Sequence, residues 1–208
     1  MMIESAVTKI YKKHQIFLLT LFSLVVNLAG KYLAERLRLP LWLDSFGTLL
    51  AAYVIGPFAG AMVGAATNII YGFIEPNSFA YALTSIGIGA IAGVYARNGW
   101  MKNLFKTMSL SVLITAVCVV LSAIFNEIFY DGMTSNYWGD GIIEMLKYWG
   151  VRHGVCIVVG EFYVDFVDKV FTLGLFYFFI QFYRKVKKYL PKFLIMQRKF
   201  KLNHIKEN

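Results

Sequence analysis

The stretch Ser45–Ile74, SFGTLLAAYVIGPFAGAMVGAATNIIYGFI, decides how this chain folds. It carries no charge over its whole length, and Asp44 and Glu75 bracket it. It is too long for one ordinary membrane span, which takes about twenty residues. Gly56-Pro57 interrupts it near the middle, and Gly-Pro is where one helix stops and the next begins. Backbone in hydrocarbon must bond to itself, so helices are the default there. The stretch therefore reads as two membrane helices joined by almost nothing. Gly56, Gly60 and Gly64 recur at four-residue spacing and form a close-packing face.

The rest of the chain agrees. It has 208 residues, 58% hydrophobic and 16% charged, against about a quarter charged in soluble domains. The length fits one domain. Six spans are expected, near 16–35, 43–56, 57–74, 79–96, 104–126 and 155–183. The fold class is thus an all-α membrane protein with a single domain over 1–208, flanked by basic tails at 1–14 and 184–208. The first apolar stretch lacks a small-residue cleavage site and continues into a longer helical pattern, unlike a removable signal peptide.

Charge orients the spans. Lys9, Lys12 and Lys13 precede the first. Arg97, Lys102 and Lys106 follow the fourth. Arg184, Lys185, Lys187, Lys188, Lys192, Arg198, Lys199, Lys201 and Lys206 follow the sixth. With six spans these three clusters share one side, which is then cytoplasmic, as are both termini. The opposite side receives Glu35, Asp44, Glu75, Glu127, Asp131, Asp140 and Glu144. The net charge of +9 is accordingly a topology signal, met by anionic lipid rather than by nucleic acid. In the outer segment 130–154, Tyr137, Trp138, Ile142, Ile143, Met145, Leu146 and Trp149 make an amphipathic stretch. It suits an interfacial helix, either passive or acting as a lid.

Polar residues within spans mark the interior. A charge at a helix centre costs roughly 2.5–3.5 kcal/mol on insertion scales, so it needs a reason. Glu161, Asp165 and Asp168 fall on one face of the last span. Lys169 stands four residues after Asp165, the spacing of an intrahelical ion pair, and these charges also suit a pair between helices. Glu161, nearer the outer end, reads as either a ligand contact or an interfacial acid. Asn27 and Asn68 read as helix–helix links or cavity groups, with Tyr71 on the same outward part of its helix. Asp44 reads as the N-cap of the second span, placed to touch a ligand as well.

Several chemistries lack their signatures. There is no phosphate-binding loop of the G-x-x-x-x-G-K-[ST] type, no H-E-x-x-H and no G-x-S-x-G. Cys118 and Cys156 sit singly in apolar segments and read as packing residues, without the close Cys/His spacing of a structural zinc site. No catalytic residue, metal ligand or cofactor is assigned.

Leu39–Thr48 (LPLWLDSFGT), followed by Gly56–Gly64 (GPFAGAMVG) and Thr67-Asn68, resembles the substrate-binding S components of energy-coupling factor (ECF) transporters. Ala90–Trp100 (AIAGVYARNGW) is similar to that family's fourth-span exit, and Asp165–Lys169 (DFVDK) to its last span. The resemblance covers roughly residues 14–185. It implies a six-helix subunit that captures a vitamin-like or nucleobase-like micronutrient from outside. Such a subunit docks on a transmembrane coupling subunit driven by two cytoplasmic ATPases. Carried onto this chain, it favours Asp44, Asn68 and Glu161 as cavity residues. Together with Asn27, Tyr71, Trp138 and Asp165 these make up the candidate binding set. Gly56, Gly60 and Gly64 become candidates for partner docking. The family's A-x-x-x-A docking face in the first span is not present; Ser23-x-x-x-Asn27 and Gly30-x-x-x-Ala34 stand nearest to it. Two other readings remain: the membrane sensor of a signalling protein, and a small membrane enzyme acting on lipid or isoprenoid through Glu161, Asp165 and Asp168. The short stretch after Tyr183 speaks against the sensor. The placement of the acids within a helix, one with a lysine partner, speaks against the enzyme.

Overall fold

The structure, a computed structural model, describes the backbone of residues 2–206 and the side chains of residues 13–188. Among these residues the chain is all-helical. The helices are α1 (Met2–Arg36), α2 (Phe46–Val54), α3 (Pro57–Tyr71), α4 (Ala82–Arg97), α5 (Leu104–Phe129), α6 (Tyr137–Tyr148) and α7 (His153–Lys206), with short 3-10 turns at Pro76–Phe79 and Trp100–Lys102. Two helices are long and apolar enough to cross a membrane, Lys13–Arg36 and Leu104–Phe129, and Ala82–Arg97 is apolar but shorter. The basic segments at both ends continue α1 and α7 as helix; the side chains of Lys9, Lys12 and the basic residues after Lys188 lie outside the described set.

The break in the deciding stretch falls where the Gly-Pro pair stands. Gly56 takes φ 135° and ψ 178°, a conformation that residues with a Cβ rarely adopt, and Pro57 opens α3 at its first turn. The second helix is shorter than the sequence pattern suggests. It begins at Phe46 with Ser45 as N-cap and makes no side-chain cap bond. Asp44 is therefore not a helix cap; its side chain turns inward instead, for reasons given below.

Glycine lets α3 and α4 meet backbone to backbone. A Cβ on Gly89 would lie 2.3 Å from the Gly60 carbonyl carbon and the Ala61 nitrogen, and one on Gly93 would lie 2.3 Å from the Pro57 Cα. A Cβ on Gly60 would meet the Ala52 Cβ at 2.6 Å, and one on Gly64 the Ser85 carbonyl oxygen at 2.7 Å. The glycine face assigned to a partner is thus consumed within the chain. Gly60 and Gly64 seat α3 against α2 and α4, and Gly56 is buried beside the Arg97 guanidinium. Small residues permit close helix approach wherever the second helix comes from, and here it comes from the same chain.

The polarity of the molecule is inverted relative to a water-soluble bundle. The interior holds Asn27, Lys31, Asp44, Thr67, Asn68, Asn126, Glu161, Asp165, Asp168 and Lys169. The exterior carries Phe58 at 78% and Phe105 at 82% exposure, with Val112, Val120, Ile124 and Ile128 along α5 and Phe166, Phe171, Phe178 and Phe182 along α7. Exposed apolar surface on that scale marks a membrane- or protein-contacting face. A smaller apolar core of Leu49, Leu50, Ile88, Leu110, Ile114, Leu173 and Phe176 lies toward one end of the bundle. Cys118 and Cys156 are buried free thiols.

The α3–α4 contact gives a direct test. Gly89→Val places atoms where backbone already stands, and overpacking of a rigid site costs about 1–3 kcal/mol or more. Gly174, which has open space around it, should accept alanine without loss. Thermal midpoints of the two variants in detergent should separate clearly, with only Gly89→Val depressed.

Candidate functional site

The connections α1–α2, α3–α4 and α5–α6 meet at one end of the bundle and are stitched together. Trp138 donates from its indole to the Arg38 carbonyl at 2.8 Å, and the Asn136 amide to the Leu39 carbonyl at 3.2 Å. Asn77 donates to Ser135 at 2.6 Å, and the Tyr130 hydroxyl to the Asn77 carbonyl at 3.1 Å. Burial and the charge of Glu75 push the Tyr130 phenol above its ordinary pKa, so it remains a donor. Trp42, Tyr81 and Tyr130 form an aromatic series with centroids 6.2 and 6.5 Å apart. The amphipathic stretch of the outer segment is helix α6, capped by the Asn136 side chain and anchored by Asp140, which accepts from the Thr134 amide and hydroxyl.

Beneath these connections lies a cleft of about 270 Å³, bordered by Lys31, Glu35, Arg38, Trp42, Tyr71 and Tyr137 among others. Below it lies a second, much smaller chamber of about 30 Å³, bordered by Asp44, Tyr81, Thr84, Glu161, Asp165 and Lys169. Lys31 and Trp42 border both and so stand at the passage between them.

Lys31 is the residue that sequence reasoning passed over. It is buried, donates to Asn68 Oδ1 at 2.6 Å, lies 3.8 Å from the Asp44 carboxylate and stands 5.0 Å from the centroid of the Tyr71 ring. The signal was available: Ser23, Asn27 and Lys31 follow each other at four-residue spacing inside a span, and all three are buried. A lysine so placed demands a carboxylate, which is why Asp44 turns inward rather than capping α2.

The other candidates divide by what they already hold. Asn27 is committed. Its amide donates to Thr48 Oγ1 at 2.9 Å and Thr67 Oγ1 at 3.0 Å, and its oxygen accepts from the Gly47 amide at 2.7 Å. It ties α1 to α2 and α3 with both of its N–H donors and its oxygen engaged, in line with the helix–helix reading rather than the ligand one. Asn68 spends its second group on Ser85 Oγ at 2.7 Å, so it orients Lys31 rather than facing the cleft. Tyr71 donates to Glu35 and borders the cleft. Trp138 is exposed and secures α6 to the α1–α2 connection; its neighbour Tyr137 is the aromatic ring at the cleft. Glu161 accepts from the Asn126 amide, whose oxygen accepts from the Tyr81 hydroxyl.

The ion pair in α7 differs from the one expected at i, i+4 spacing. Lys169 contacts the adjacent Asp168 at 2.5 Å and Ser45 Oγ at 3.2 Å. Asp168 also accepts from the backbone amides of Trp42 at 3.1 Å and Leu43 at 3.0 Å. The carboxylate thus satisfies two loop N–H groups and a lysine together, more than an intrahelical pair with Asp165 would. Among the described residues, Asp165 Oδ2 has no hydrogen-bond partner of good geometry.

Compared with known protein families, with curated proteins and with solved structures, the chain matches none.

The Asp168 clamp has a measurable signature. Asp168→Leu orphans two backbone donors and a buried lysine, and breaking such a buried pair costs about 3–5 kcal/mol. Asp168→Asn keeps an oxygen for the two amides and should cost clearly less. Equal unfolding midpoints for the two variants would remove the backbone clamp from the account.

Proposed function

We propose that this chain is the substrate-capture subunit of an ECF-type importer, a multi-pass protein of the prokaryotic cell membrane. The observation that carries this reading is the cleft of about 270 Å³, lined by aromatic, polar and charged side chains, at one end of the bundle. Its size suits a small molecule of vitamin or nucleobase dimensions, and aromatic rings with a few convergent polar groups are what such pockets use. The apolar exterior supports a lipid surrounding on every side of the bundle.

In this reading six helices cross the bilayer: α1 to α5, with α2 short, and the first part of α7. The helix α6 lies at the outer surface, over the cleft. The connections around Gly56 and 97–103 lie on the cytoplasmic side with both termini, where the basic residues concentrate. A micronutrient enters from outside, the stitched connections close over it, and Lys31, Arg38, Tyr71 and Trp42 orient it. Movement inward is driven by a transmembrane coupling subunit and two partner ATPases, since the chain has no nucleotide-binding loop of its own. With Gly60 and Gly64 packed within the chain, the docking surface falls on the exposed outer faces of the helices. No catalytic chemistry, metal or cofactor belongs to this reading. Of the three acids the enzyme alternative would use, Asp168 is already held by Lys169 and two amides.

Two measurements test the proposal. Tagged chain expressed in its own cells should co-purify with one membrane subunit and ATPases bearing nucleotide-binding loops; purification without any ATPase under mild detergent would overturn it. In intact cells, Ser135→Cys should react with a membrane-impermeant maleimide and Lys102→Cys should not, and the reverse pattern would overturn the orientation.

A further inference from the structure

More carboxyl groups than ammonium groups border the small inner chamber. Two buried cations border it, and each already has a carboxylate: Lys31 has Asp44, and Lys169 has Asp168. Two more carboxylates, Asp165 and Glu161, border the same space. Among the described residues neither has a cationic nitrogen within 4.0 Å. Glu161 receives only the Asn126 amide. Asp165 is 4% exposed; the Trp42 side chain is set against its carboxyl, and among the described residues its Oδ2 has no hydrogen-bond partner of good geometry. Thr84 Oγ1, which is also buried in the chamber wall, has none either.

We propose that this chamber receives the protonated amino group of the captured molecule, so that the protein selects small organic amines with an aromatic or heterocyclic body. The inference rests on the capture reading above and adds the substrate class to it. An ammonium group offers three donors and no acceptor, and the residues bordering the chamber include three with acceptor oxygens, Asp165, Glu161 and Thr84. A space of about 30 Å³ is on the scale of a small head group rather than of a whole ligand. The body of the ligand stays in the outer cleft against Trp42, Tyr71 and Tyr137, since Trp42 and Lys31 border both spaces. An anionic head group would meet two acids, and a neutral one would offer them no charge-assisted hydrogen bond. Lys31, held by Asp44 and Asn68, stands at the passage as a cation that repels an amine from lodging in the cleft the wrong way round.

The test uses the full chain in lipid nanodiscs with three probes of one shape: benzylamine, benzyl alcohol and benzoate. Calorimetry should show benzylamine bound about tenfold or more tightly than either of the others, the scale of one charge-assisted hydrogen bond. In Asp165→Asn that preference should fall to within about twofold, while Glu127→Gln, at the exposed pair with His153, should retain it. Equal binding of the three probes, a preference for benzoate, or an unchanged preference in folded Asp165→Asn overturns the proposal. Native mass spectrometry of wild-type protein from its own cells gives an arm that needs no variant. An amine retained in the protein supports the assignment. A neutral or anionic occupant overturns it and leaves small-molecule capture standing. Protein that retains nothing and binds none of the three probes overturns both.

Discussion

The contact on which the rest of the site depends is the buried carboxylate of Asp168. It accepts from the amides of Trp42 and Leu43 and pairs with Lys169. Through it, the α1–α2 connection is pinned to α7 across the mouth of the bundle. Leu43 takes φ 53°, a conformation unusual for a bulky side chain, and it needs such an external hold. With that connection pinned, Trp42 stands at the passage between the two cavities, Asp44 reaches Lys31, and Ser45 reaches Lys169. A charge buried in an apolar surrounding is tolerated only when it is paired and hydrogen-bonded. The requirement runs both ways, because each of these groups also forces the others into place.

A second layer of polar contacts sets the helices themselves. Asn27 alone joins α1 to α2 and α3 through three bonds, and Asn68 joins α3 to α1 and α4. In a bundle whose outer surface is apolar, burying more apolar surface provides little drive for one helix to prefer another. Specific hydrogen bonds and close backbone approach must supply it. The glycine contact between α3 and α4 and the asparagine contacts around α1 are the two forms this takes here. Each residue committed to architecture is one fewer for binding. What is left uncommitted among the described residues, Ser23 Oγ, Thr84 Oγ1, Thr115 Oγ1 and Asp165 Oδ2, therefore stands out.

Much of the architecture was legible beforehand because helix breaking and apolar periodicity are local signals. Gly56-Pro57 ends one helix and begins the next for reasons internal to those two residues. The helix in the outer segment follows from the spacing of Tyr137, Ile143 and their neighbours, and the structure starts it at Tyr137. The placement of Asp44, Glu161 and Asp165 in a polar interior follows from the cost of putting acids against lipid. The site was harder to read. Lys31 escaped notice because one lysine in a long apolar helix looks like a residue reaching for the interface. Asn27 was assigned to a ligand because a buried asparagine does not announce whether its partners are protein or substrate. The glycine face was assigned to a partner because close packing has the same residue pattern within a chain as between chains.

By itself the sequence determined that the chain is helical, with apolar helices and with acids gathered in the last long helix. Periodicity, helix breaking and the cost of exposed charge are local properties, and each residue reports them without reference to distant neighbours. The tertiary structure alone decided which polar groups satisfy one another. Lys169 pairs with Asp168 rather than Asp165 because two amides from a connection some 125 positions away converge on the same carboxylate. The oxygen this leaves on Asp165 without a hydrogen bond of good geometry is a consequence of that long-range pairing, and no local pattern encodes it.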